Sequence, residues 1–203
     1  GLQRLSLTLT CQPRLPEAGL CTRVNHLALR VCAPGLDLVA LVNALGLSDK
    51  LQSLDIECEH FNWCSGLLLN SPVQLLQRIK RLVLKLDGPA RHWQQYLSDI
   101  LHAMTSLESL KVGSTLEPDM AILKAVARLK VFEAPRVNDI PSLASVDFPP
   151  PETVKFRYLP NALRERIGNL IQHGSDHARA WALAAIMHCE SSMDGTLVLS
   201  HCK

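Results

Sequence analysis

The feature that most constrains this chain is a pattern of aliphatic residues, L-x-x-L-x-L, that recurs along most of its length. Its copies begin at Leu2, Val24, Leu51, Ile79, Leu107 and Val126, and a degenerate copy begins at Pro151. Successive copies start 22, 27, 28, 28, 19 and 25 residues apart. Self-similarity at such a period is typical of arrays in which each copy is one supersecondary unit. One copy cannot bury its apolar face alone, so the copies must stack on one another.

Leucine usage favours a repeat array over a membrane protein. The chain has 203 residues, of which 37 are Leu, yet no stretch approaches the roughly 20 apolar residues that a membrane-spanning helix needs. Its seven cysteines are scattered and form no C-x-x-C pair. Such spacing indicates reduced thiols rather than a disulfide framework. We therefore expect an intracellular protein, cytoplasmic or nuclear.

The segments between copies predict helices. The predicted helices are Leu36–Leu45, Pro72–Ile79, Ala90–Met104 and Pro118–Arg128. The first of them ends at Gly46, a favoured helix-stop residue, and the second begins with an N-cap Ser71 followed by Pro72. Alternation of strands and helices predicts a right-handed α/β solenoid with parallel strands.

These copies resemble the leucine-rich-repeat superfamily, in its α/β ribonuclease-inhibitor-like branch. The resemblance covers residues 2 to about 158. The family's Asn, Cys or Thr after the last core position is matched by Cys32 and acceptably by Thr10 and Thr115. The resemblance implies a horseshoe solenoid of parallel strands that closes with a C-terminal helical cap. An irregular doubly wound α/β domain is the alternative that the same periodicity leaves open.

Prolines divide the predicted domain. We expect repeats over residues 1–134, a Pro-rich irregular loop with a short turn over 135–152, and the last repeat with a C-terminal cap over 153–203. All three form one continuous domain in this interpretation. The predicted cap contains two helices, Pro160–Gln172 and Asp176–Cys189, and a final strand, Gly195–Ser200. Such arrays need a cap because the end of the stacked core is otherwise open to water.

The register also predicts which side chains face a partner. Positions 1, 4 and 6 of each copy point into the core, while positions 3, 5 and 7 project from the other face of the sheet, the concave side of a solenoid. Nine of these 21 positions are Lys or Arg and two are acidic. The predicted partner-binding residues are Arg4, His26, Arg30, Arg81, Lys85, Lys111, Arg128, Lys130, Phe132, Lys155 and Arg157.

This concentration of cations favours an acidic partner protein. The net charge of +2 on the whole chain says nothing about partners by itself. The alternatives are a solvated sheet face without a partner and a nucleic-acid surface. Nucleic acid is disfavoured because Phe132 is the one aromatic residue among the cations, whereas single strands bind on several stacking platforms.

Candidate chemistry is confined to one cluster of soft ligands, Cys58-x-His60-x-x-x-Cys64. A distant pair such as His188-Cys189 or His201-Cys202 could complete a tetrahedral zinc site. The spacing matches no zinc motif, so we expect no metal and no cofactor. G-x-S-x-G, H-E-x-x-H and phosphate-binding glycine loops do not occur. We predict a non-enzymatic interaction scaffold. A small α/β enzyme or metal protein using Cys58, His60 and Cys64 is the alternative.

One segment suggests a more specific role. Phe156–Ile171 resembles the opening of an F-box, with Leu159-Pro160 followed by an amphipathic helix, and this implies a substrate receptor of a ubiquitin ligase. A capping helix that begins after a proline explains the same residues, and an effector or assembly-factor recognition module is a further alternative. Because the chain begins at Gly1 without a signal pattern, we expect a processed chain or a piece of a longer one.

Overall fold

The computed structural model describes the chain as two compact units, Gly1–Ser114 and Thr115–Lys203. The described residues are 3–10, 23–33, 37–47, 49–58, 68, 71, 73–86, 91–113, 118–136, 143–187 and 189. The two units are treated separately below. None of the helices among these residues has the length and apolar character needed to cross a membrane.

Unit 1 contains a parallel sheet with helical return segments. Its strands are β1 Arg4–Leu9, β2 His26–Val31, β3 Ser53–Cys58, β4 Arg81–Leu86 and β5 Ser109–Val112. The helices among its described residues are α1 Leu38–Ala44, α2 Val73–Leu76 and α3 Arg91–Ala103. The strands pair in parallel in the order of the chain. The predicted α/β class with parallel strands is confirmed.

The core of unit 1 is built from aliphatic side chains stacked in register. The fourth position of each copy forms one stack, Leu5, Leu27, Leu54, Leu82 and Leu110. The last four of these side chains are fully buried. Because the strands pair in phase, each Leu lies beside the equivalent Leu of the adjacent strand, and these neighbours remove it from water. A single copy could not achieve this burial.

A row of backbone carbonyls fixes that register. At the entry to each strand, one carbonyl accepts two N–H groups from the next copy. The Gln52 carbonyl accepts from Lys80 N at 2.8 Å and Arg81 N at 3.1 Å. The Lys80 carbonyl accepts from Glu108 N at 2.8 Å and Ser109 N at 3.0 Å. Since buried backbone groups must be paired, a shift of one residue would break these bonds together.

The first return helix, α1, has a capping residue at its start and a glycine after its end. Asp37 caps its start, and its Oδ1 accepts from Val39 N at 2.9 Å and Ala40 N at 3.0 Å. Gly46 follows its end at a φ of 67°, a left-handed conformation that favours glycine. The predicted stop at Gly46 is therefore confirmed.

Unit 2 has two parallel strands and three helices among its described residues. They are α4 Met120–Ala127, β6 Val131–Arg136, β7 Thr153–Tyr158, α5 Asn161–His173 and α6 Asp176–Met187, with a 3-10 turn at Leu143–Ser145. The predicted helices form. The predicted loop over 135–152 holds the end of β6 and the short turn, and the predicted strand Gly195–Ser200 lies outside the described residues.

The sixth copy lies three residues further along the chain than the sequence pattern placed it. Phe132 pairs in register with Val154, and Ala134 pairs with Phe156, so Phe132 and Ala134 occupy the core. The rings of Phe132 and Phe156 meet edge to face, with centroids 6.0 Å apart. Phe132 therefore does not lie on the exposed face where the sequence analysis placed it.

The same shift moves Arg128 and Lys130 off the strand. Both precede β6 and are exposed. The Lys130 carbonyl accepts from Thr153 N at 2.9 Å, the role that the Gln52 carbonyl plays in unit 1. The strand positions that Arg128 and Lys130 were predicted to hold belong instead to Val131 and Glu133.

Helix α6 anchors the irregular segment of unit 2. The indole of Trp181 is buried, and its Nε1 donates to the Phe148 carbonyl at 3.1 Å. The rings of Phe148 and Trp181 also meet edge to face at 6.3 Å. In the segment that resembles an F-box, Leu163 and Ile167 of α5 are buried within this unit. That helix therefore contributes its apolar side to the core of unit 2.

The corrected register makes a stability prediction. Phe132→Ala should lower the free energy of unfolding by about 3–5 kcal/mol, because it removes a buried ring from a packed core. Lys124→Ala, an exposed change on α4, should stay within about 0.5 kcal/mol. Chemical denaturation followed by circular dichroism measures both. Equal, small effects would show that Phe132 is not in the core.

Candidate functional site

The exposed side of the sheet in unit 1 carries a regular array of charges. We use the name polar face for the side chains at the third, fifth and seventh positions of each copy. In unit 1 they are Arg4, Ser6, Thr8, His26, Ala28, Arg30, Ser53, Asp55, Glu57, Arg81, Val83, Lys85, Ser109, Lys111 and Gly113. Five of these positions are Lys or Arg and two are acidic. The pairing register confirms that these positions align across the five strands.

Both acids lie on the central strand β3, and each contacts cations that other strands carry. Asp55 Oδ1 accepts from Arg81 Nη1 on β4 at 2.7 Å. Asp55 Oδ2 lies 3.5 Å from Arg4 Nη2 on β1 and 3.1 Å from His26 Nε2 on β2. We call these four residues the Asp55 cluster. Its carboxylate is 19% exposed, so water screens its interactions only in part.

Two further contacts complete the surroundings of Asp55. Arg81 Nη1 also donates to Ser53 Oγ at 3.2 Å, which orients the guanidinium toward β3. His26 Nε2 is buried and, although it lies close to Asp55, makes no hydrogen bond of good geometry within the described residues. The two atoms are close, but their direction is not that of a hydrogen bond. Arg81 is thus the side chain that positions Asp55.

Glu57 is the centre of a second, more open cluster. Its Oε1 lies 3.4 Å from Arg30 Nε on β2, and its Oε2 lies 3.4 Å from Lys85 Nζ on β4. We call these three residues the Glu57 cluster. The glutamate is 46% exposed, and both cations are exposed by more than half. Such long, solvated contacts stabilise a fold little, and their side chains remain able to move.

A glycine allows two backbones to approach closely beside the Glu57 cluster. Gly113 lies beside Lys85 in the alignment, and a Cβ placed there would lie 3.0 Å from Lys85 Cγ and 3.1 Å from Lys85 Cα. The backbones approach so closely that Gly113 N donates to Leu84 O at 2.6 Å. Because Gly113 has no side chain, its backbone can pack directly against Lys85.

The described strands of unit 2 show the same arrangement on a smaller scale. Lys155 Nζ on β7 lies 3.2 Å from Glu133 Oε1 on β6. Arg157, two residues further along β7, is exposed. Again a cation on one strand faces an acid at the same register on the next.

The structure brings together five of the predicted partner-binding residues. Arg4, His26 and Arg81 meet at Asp55, and Arg30 and Lys85 meet at Glu57. Lys111 lies on β5 in the same row as Asp55, two strands away. Lys155 and Arg157 lie on β7 in unit 2, whereas Arg128, Lys130 and Phe132 leave the face as described above.

Sequence reasoning missed the function of the two acids. It counted two acidic positions on this face but paired neither of them with a cation. The signal that would have found the pairing is the aligned register. In the seventh position, Arg30 of β2 and Lys85 of β4 stand on both sides of Glu57, and in the third position Arg81 stands beside β3.

The predicted soft-ligand cluster is only partly described. Cys58 is buried at the end of β3, and Cys189 is buried in unit 2. His60, Cys64, His188, His201 and Cys202 lie outside the described residues. Within the described part of the chain, no group of three or more His, Cys, Asp and Glu could hold a metal ion. The polar face is therefore the candidate site among the described residues.

A cavity of about 230 Å³ lies on the helical side of unit 1. Val39 and Val42 of α1 and Leu75 of α2 supply its apolar lining. Arg78 and Asp49 stand at the same cavity and pair with each other at 2.8 Å. Because their charges neutralise each other, this cavity offers no surplus charge to a ligand.

Comparison of the chain with protein-family models, with curated proteins and with solved structures found no match. The candidate site therefore depends on the geometry of the polar face.

The two clusters should contribute differently to stability. Asp55→Asn should lower the free energy of unfolding by about 1–3 kcal/mol, because it removes a charge that is shielded and bonded by Arg81. Glu57→Gln should cost less than about 1 kcal/mol, because its contacts are long and solvated. Urea unfolding at low and high salt compares them. Equal costs for both substitutions would contradict the distinction between the clusters.

A pair of glycine substitutions tests the close approach of Gly113 to Lys85. Gly113→Ala should destabilise by about 1–3 kcal/mol, because the new Cβ would press on the Lys85 backbone. Gly168→Ala is the control, since a Cβ on that helical residue of α5 meets nothing within 4 Å. It should stabilise by about 0.5–1 kcal/mol through helix propensity. Thermal unfolding measures both; an unchanged or raised stability of Gly113→Ala would contradict the close approach at Gly113.

Proposed function

We propose that this chain is a leucine-rich-repeat solenoid, without enzymatic activity, that binds an acidic partner protein. The polar face is the binding surface, and it is the concave side in that architecture. The observation that carries the proposal is the composition of the face in unit 1. There, four cations contact two carboxylates, on strands whose register is fixed by paired backbone groups.

Rigidity of the scaffold supports this proposal. The charged side chains stand on strands, not loops, and the carbonyl row holds neighbouring strands in phase. A preformed surface loses little conformational entropy when it binds. The 2.7 Å contact of Arg81 with Asp55 also holds one guanidinium and its carboxylate in place before a partner arrives.

The charge pattern supports an acidic rather than a neutral partner. Cations that outnumber their acids attract a negatively charged surface over a distance, which raises the association rate and disfavours basic partners. Three cations of the two clusters are more than half exposed, namely Arg4, Arg30 and Lys85. Because these side chains are already in solvent, they can contact a partner directly.

Within this class we propose an intracellular recognition module, and a substrate receptor of a ubiquitin ligase is its most specific version. The helix after Leu159-Pro160 packs its apolar residues Leu163 and Ile167 into unit 2, which also fits a plain capping helix. An effector or assembly-factor module remains an alternative within the same class. No described geometry favours the enzyme or metal-protein alternative.

Charge reversal tests the proposal. The triple variant Arg4→Glu, Arg30→Glu, Lys85→Glu should bind a fluorescein-labelled poly-glutamate peptide at least about tenfold more weakly than the unaltered protein. The reason is that each reversal replaces attraction by repulsion at an exposed position. Fluorescence anisotropy at low and moderate salt measures the dissociation constant, and the loss should be larger at low salt.

A matched control separates location from net charge. Arg23→Glu, Lys124→Glu, Arg179→Glu changes the net charge equally at exposed sites away from the polar face. It should retain most of the affinity. If both triple variants weaken binding equally, the peptide senses only net charge and the proposed surface is wrong. Cross-linking mass spectrometry of a native complex gives an independent readout, with Lys85 and Lys111 as the expected cross-linked residues.

A further inference from the structure

We infer that the polar face of unit 1 receives an extended acidic segment whose carboxylates stand at alternate positions, as in Glu-x-Glu. This inference depends on the proposed function and adds the form of the partner. Its support is the division of the face into two clusters of equal surplus charge at a fixed separation.

Counting Arg and Lys against the carboxylates, each cluster holds one more positive charge than negative charge. In the Asp55 cluster, Arg4 and Arg81 share one carboxylate. In the Glu57 cluster, Arg30 and Lys85 share one carboxylate. Each cluster is therefore neutralised by a single additional carboxylate.

The cations that would receive those carboxylates are loosely held. Charge-assisted hydrogen bonds measure about 2.7–2.9 Å, and among the ion pairs of the two clusters only Arg81 reaches that length. Arg4 contacts its acid at 3.5 Å, while Arg30 and Lys85 contact theirs at 3.4 Å. Their side chains are 64%, 57% and 61% exposed, respectively. They can turn from a resident acid to a partner's acid, while Arg81 keeps Asp55 in place.

The separation of the clusters sets the spacing of the partner's acids. Asp55 and Glu57 are two residues apart on one strand, and a strand rises about 3.3 Å per residue. The two clusters are thus centred about 6.6 Å apart along β3. In an extended segment, side chains on one face recur at that same interval. A segment with acids at every second residue therefore presents one carboxylate to each cluster.

The ends of the row that contains Glu57 carry no charge in the described part of unit 1. Gly113, at one end, packs closely against Lys85 and has no side chain. The opposite end of the row is Thr8, which is small and uncharged. Neither end of this row adds a charge that would oppose a partner's carboxylate.

Two labelled peptides of equal composition test the inference. One alternates Glu and Ser, so its acids fall on one face of an extended chain. The other repeats Glu-Glu-Ser-Ser, so acids on one face recur only every fourth residue. Fluorescence anisotropy with the whole chain should give about fivefold tighter binding of the alternating peptide, because two clusters are engaged instead of one.

A variant ties the preference to the clusters. Arg30→Gln with Lys85→Gln removes the surplus of the Glu57 cluster and should reduce the ratio of the two dissociation constants to about one. The control pair Arg23→Gln with Lys124→Gln should keep the preference. Equal binding of the two peptides by the unaltered protein overturns the inference. In that case the proposed function still stands if the triple charge reversal weakens both peptides.

A separate outcome concerns the proposed function itself. If neither peptide binds and the triple reversal changes nothing, the acidic partner and its spacing are both rejected. A preference that survives in the Arg30→Gln, Lys85→Gln variant would also overturn the inference, because the spacing would then be read elsewhere. Circular dichroism of every variant establishes that it is folded before binding is compared.

Discussion

In-phase pairing of parallel strands is the constraint on which the rest of unit 1 depends. Each strand aligns with the next so that equivalent residues of successive copies stand side by side. The carbonyl of the second residue in a copy, such as Gln52, holds this alignment by accepting two N–H groups. Alignment of like with like is favourable for leucine, because aliphatic side chains stack without cost. It would be unfavourable for cations, since like charges on adjacent strands repel.

The central strand relieves that repulsion. Glu57 stands between Arg30 of β2 and Lys85 of β4, and Asp55 lies between the guanidinium groups of Arg81 and Arg4. The acids are therefore part of what allows a cationic face to exist on a parallel sheet. They also divide its cations into one tightly bonded arginine, Arg81, and several exposed side chains. Arg81 holds Asp55 in place, and in the proposed function the exposed side chains meet the partner.

Much of this fold follows from periodicity, and the exceptions have physical causes. The strands that contain Leu54 and Leu82 are predictable from sequence, because an alternating aliphatic pattern indicates a strand with one buried face. The sixth copy was misplaced because Val126, Leu129 and Val131 satisfy the same pattern, although Val126 faces the core from helix α4. Periodicity cannot separate a buried helical valine from a buried strand valine. The pairing of Asp55 with Arg81 was missed for a different reason, since it joins copies that only the register brings together.

The bifurcated carbonyls have a consequence for how such a chain can change in length. One residue added inside β3 would reverse its alternation, placing Leu54 in water and Asp55 in the core. One residue added between α1 and β3 would leave every stack intact. The unequal intervals between copies agree with this, since they differ while the strands of unit 1 remain in phase. Insertions and deletions compatible with the fold are therefore confined to the return segments.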